Sequence, residues 1–166
     1  MTNLLVGAIV GFLSAFLLRS WQYRRDLWLK RIEGLCTALD AAAEASTKYW
    51  IGADAPASAA PAARILGLQA RIDSMFADLE LNNEPKLIPT LNDFRDSSTG
   101  GNFESIPFEA DHDRARLVQI YASELISAIW EVAYHQLSFS KWCMRRRDDM
   151  HHARLFAFKN TKSFLE

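Results

Sequence analysis

The stretch with the densest chemistry is "RRRDDMHH", residues 145–152, where three arginines, two aspartates and two histidines share eight positions. Arg147 and His152 stand five apart, and Arg146 and His151 repeat that spacing in an overlapping register. An arginine grips a phosphate through its planar fork. A histidine can move a proton to or from a ribose hydroxyl near neutral pH. Together they suit metal-independent RNA cleavage by the ribose 2′-hydroxyl, with the arginine stabilising charge on the phosphate oxygens. The same residues admit three other uses. Arg145, Arg146 and Arg147 could bind RNA or another phosphate-bearing anion without catalysis. Asp148 and His152, at i and i+4, could face one ion, with "DHD" (111–113) adding ligands, but no HExxH or paired CxxC supports a metal and none is expected. The stretch also fits a junction between helices, because arginines favour a helix C-terminus and aspartates the next N-terminus.

The spacing alone is not specific. Four histidines placed at random among the arginines of this chain would produce it about 0.3 times, and the second match follows from the runs "RRR" and "HH". What surrounds the stretch therefore matters. The net charge is −1, so no overall basic field draws nucleic acid. Cys36 and Cys143 suggest neither a disulfide framework nor a zinc site, and each reads as a small buried side chain. No cofactor signature is present.

The first eighteen residues, "MTNLLVGAIVGFLSAFLL", contain no charge. As a helix they span about 27 Å, close to the hydrocarbon thickness of a bilayer. Arg19, Arg24, Arg25, Lys30 and Arg31 follow, which by the positive-inside rule places the N-terminus outside and the remainder in the cytoplasm. Trp21 and Tyr23 fit an interfacial aromatic belt. Residues 1–18 are thus expected to form a single transmembrane anchor and residues 19–166 a cytoplasmic helical domain. Gly7, Gly11 and Ala15, spaced by four, put three small residues on one face, where a second copy of the helix can approach closely.

The rest of the chain reads as helix. Trp28, Ile32, Leu35 and Leu39 form a stripe that continues from the anchor without a breaker to about Trp50, where "GADAPASAAP" (52–61) closes it. A second helix starts at Pro61 with Ile65, Leu68, Ile72, Met75, Phe76 and Leu79 on its apolar face, and "NNEP" ends it. A short third helix fits 86–96, a loop 97–109, and a long helix 111–144 with Leu117, Tyr121, Leu125, Ala128, Val132, His135, Phe139 and Trp142 on one face. Ile120 and Ile129 widen that face. His135 reads as a core histidine. A last helix would carry Leu155, Phe156 and Phe158. No strand pattern is present, so the expected fold is all-α, a bundle of four to five helices.

"RDDMHH" (147–152), near the end of such a chain, resembles the Arg-x4–6-His motif of HEPN domains, with Asp148 as the polar residue after the arginine. The layout as a whole resembles the small membrane-anchored HEPN accessory proteins of type VI-B CRISPR systems. In residues the resemblance covers only Arg147, Asp148 and His152. It implies a homo-oligomer in the bacterial inner membrane that opens a pore, depolarises the cell and so strengthens RNA-guided antiviral defence, with lipid, RNA or a CRISPR effector as partners. Two alternatives stay open: a membrane-tethered HEPN RNase using Arg147 and His152, and a nucleotide-sensing membrane effector like those of type III CRISPR systems, for which no motif is seen.

Overall fold

The computed structural model describes residues 2–52, 60–104 and 108–136; of residues 2–10, only Gly7 has its side-chain environment described. The described residues are helical, without strands: α1 (Thr2–Trp50), α2 (Ala60–Asp78), a 3₁₀ turn (Leu81–Asn83), α3 (Leu87–Thr99) and α4 (His112–Gln136). The chain divides into two compact units, one of residues 1–28 with 133–166, the other Leu29–Val132.

In the Leu29–Val132 unit the apolar stripes meet in one core. Ile32, Leu35, Leu39, Ala42 and Ala43 of α1, Ile65, Ile72 and Phe76 of α2, Leu87, Leu91 and Phe94 of α3, and Val118, Leu125 and Ile129 of α4 are all buried. Each helix contributes positions three or four apart, the period that turns one face inward. Polar links tie the helices at their rims: Gln119 Nε2 donates to Thr47 Oγ1 (2.8 Å), Lys86 Nζ to Glu131 Oε1 (3.3 Å), and Arg95 pairs with Asp73.

Glycine and proline set the boundaries. Gly52 ends α1 at φ 75°, a left-handed turn that costs glycine nothing. Pro89 lies in the first turn of α3, where its missing N–H breaks no helical bond. Gly100 closes α3 by donating its N–H to Asp96 O at 2.8 Å, so the helix extends past the expected end at residue 96 to Thr99.

Two expectations for α4 are corrected. Leu125, Ile129 and Val132 are buried as expected, but over the first half of the helix Ala115, Val118 and Ala122 face inward, whereas Leu117 and Ile120 are 42% and 39% exposed. His135 falls on an exposed position, so it is not a core histidine. The last helix and the end of the long one, residues 137–144, lie outside the described residues.

In the unit that holds residues 1–28, Phe12, Leu13, Phe16, Leu17 and Leu18 of α1 are exposed, Phe12 to 71%. Among the described residues no helix is long and apolar enough to cross a membrane. Of the uncharged run, the side chains of residues 1–6 and 8–10 fall outside that description.

Candidate functional site

Arg145, Arg146, Arg147, Asp148, His151 and His152 lie outside the described residues, as does Cys143. Gly7, Gly11 and Ala15 lie on α1 and are exposed, and a Cβ added at Gly7 or Gly11 would meet nothing within 4 Å. Among the described residues that small-residue face is open.

The described chemistry converges elsewhere, at the start of α4. Asp111 caps this helix: its Oδ1 accepts the Arg114 N–H at 2.8 Å, and its carbonyl accepts the Ala115 N–H at 3.0 Å. The Asp111 N–H in turn donates to Trp50 O at 2.8 Å, fastening α4 to the end of α1. The Arg114 side chain makes three contacts. Its Nε lies 3.5 Å from Asp111 Oδ2, its Nη1 donates to Asp96 O at 2.8 Å, and its guanidinium sits 4.9 Å from the centre of the Trp50 ring. A cation beside the last carbonyls of α3 also complements the negative end of that helix.

Trp50 is held on its other side, its Nε1 donating to Ser98 O at 3.0 Å. Tyr49 packs edge-on against Trp50 and Phe108 at 5.2 and 5.3 Å, and tilted against Phe103 at 4.9 Å. Its hydroxyl accepts the Glu104 N–H at 2.9 Å, which helps hold Glu104 at φ 62°. Gly101, at φ 64°, passes so close that an added Cβ would lie 2.6 Å from Arg114 Nη2.

Two open clefts flank this knot. One, of about 500 Å³, is lined by Trp50, Gly101, Asn102 and residues 109–114. The other, of about 310 Å³, includes Asp93, Asp96, Asp113 and Tyr121. Their rims are acidic, yet among the described residues no group of three or more His, Cys, Asp or Glu could hold a metal ion. Within "DHD", Asp111 works as the helix cap; Asp148 and His152, the other residues of that ligand set, lie outside the described residues. The sequence signal was there to be read, an aspartate one position before a helix start. Trp50 and Arg114 carried no signal of their own, because their pairing joins residues far apart in the chain.

Cys36 is buried, and burial, reinforced by the carboxylate of Asp40, pushes its thiol up to about 11. Such a thiol is a poor nucleophile. What the described residues build is a mechanical joint between three helices, with its one arginine engaged in holding it. No protein-family model matches this chain, and no curated protein or solved structure does either.

Proposed function

We propose that this protein is a single-pass membrane protein that self-associates in the bacterial inner membrane and acts by raising membrane permeability. In that role it would serve RNA-guided antiviral defence, as the accessory proteins that its layout resembles do. The observation that carries the reading is the uncharged run of residues 1–18 at the start of α1, in which the large apolar side chains Phe12, Leu13, Phe16, Leu17 and Leu18 are exposed. Burying a large apolar side chain is worth about 1.5–3 kcal/mol, so five such side chains favour a hydrocarbon environment strongly. The open Gly7, Gly11 and Ala15 face supports close packing against further copies of the same helix.

The test is the membrane potential of cells expressing the full chain, read with a voltage-sensitive dye. Expression should depolarise the cells, and Gly11→Leu, which fills the small-residue face, should leave the protein in the membrane while reducing depolarisation. An unchanged potential at full expression refutes the permeability reading. The enzymatic alternative rests on the Arg147–His152 spacing. If it holds, Arg147→Ala and His152→Ala each abolish metal-independent RNA cleavage by the purified protein.

A further inference from the structure

We propose that Arg19, Arg24 and Arg25 form a collar that binds the phosphates of anionic phospholipids where the membrane helix ends. The inference rests on the anchor reading and adds to it the class of lipid recognised. Arg19 is the first charged residue of the chain, and all three arginines are exposed on α1. At about 100° per residue they point in directions about 140° and 240° from the first, so they surround the helix instead of lining one side. A ring of cations suits lipids arriving from all around, whereas a protein or RNA partner would be met by a stripe. Their spread along the axis is about 9 Å, comparable to a headgroup layer of about 5–8 Å.

The aromatic residues among them fit the same surroundings. The Arg25 guanidinium lies 5.2 Å from the centre of the Trp21 ring, which restrains its side chain before any lipid arrives. Tyr23, between Trp21 and Arg25, is 69% exposed. Both ring types favour the membrane–water boundary. Between residues 19 and 28 the only acid is Asp26, 3.5 Å from Arg25 Nε in an exposed pair of the weak kind that a phosphate can replace. The arginine fork matches two phosphate oxygens at once.

The experiment reconstitutes the full chain in phosphatidylcholine vesicles and compares spin-labelled phosphatidylglycerol with spin-labelled phosphatidylcholine, reading the fraction of each that the protein immobilises. The native chain should prefer phosphatidylglycerol. A surface attraction near one kcal/mol per arginine corresponds to about fivefold each, so Arg19→Gln, Arg24→Gln and Arg25→Gln should reduce the preference stepwise. Arg64→Gln with Arg71→Gln on α2 should leave it intact. Inorganic phosphate should compete no better than chloride at equal ionic strength, which separates a headgroup site from a free-phosphate site. Equal immobilisation of the two lipids overturns the proposal. So does a preference that survives the triple change, or one that falls equally in the α2 control. Retention of the triple variant in alkaline carbonate judges the anchor separately: an anchored chain without lipid preference defeats the collar alone, and a native chain that fails to incorporate defeats both.

Discussion

Arg114 places three different interactions on one guanidinium: an ion pair with Asp111, a hydrogen bond to the end of α3 and a cation–π contact with Trp50. The exposed ion pair alone is worth little. The charged hydrogen bond and the ring contact matter more, and Arg114→Ala should lower the unfolding free energy by about 1–3 kcal/mol, measured by urea titration. Gly101→Ala should disturb the same joint from the other side, because the new methyl meets Arg114 and the backbone is left-handed there. Because both changes act on one joint, they should be less than additive in combination. Cys36 supplies a pH dependence. Its folded-state value near 11 is raised above the ordinary 9.0, so its contribution to stability is complete below pH 9 and lost as pH rises towards 11. Urea titrations across that range should show a steeper alkaline fall for the native chain than for Cys36→Ala.

At the scale of elements, helix existence was legible because each stripe keeps a strict three-and-four spacing and Gly52, Pro61 and Pro89 punctuate it. The inward positions of the first half of α4 were not. Leu117 and Val118 are both apolar, and only packing against the other three helices selects Val118. Leu125→Ala should therefore cost about 2–5 kcal/mol, whereas Leu117→Gln should be close to neutral in thermal unfolding. Ser46 of α1 is a buried position whose hydroxyl has no hydrogen-bond partner among the described residues. Ser46→Ala removes that unmet demand and improves helix propensity, so it should raise stability by about 1 kcal/mol. The knot at Trp50 and Arg114 was invisible in the sequence for a different reason: its contacts have no local period. Of the residues singled out for chemistry, Gly7, Gly11 and Ala15 are found on an open helix face. Arg147 and His152 lie outside the described residues.

For the whole molecule, the central claim is that residues 1–18 hold a cytoplasmic helical domain at the membrane, where copies of the chain assemble. The uncharged run argues for a span by its length, and the arginines after it argue for the orientation by their charge. The most direct measurement is protease accessibility of a C-terminal epitope on the full chain, compared between spheroplasts and inverted inner-membrane vesicles, with alkaline carbonate extraction of the same membranes. The expected result is a chain that stays in the carbonate pellet, protected in spheroplasts and digested in inverted vesicles. Recovery of the chain in the soluble fraction of lysed cells, or digestion of the epitope from the outside of spheroplasts, would contradict the account.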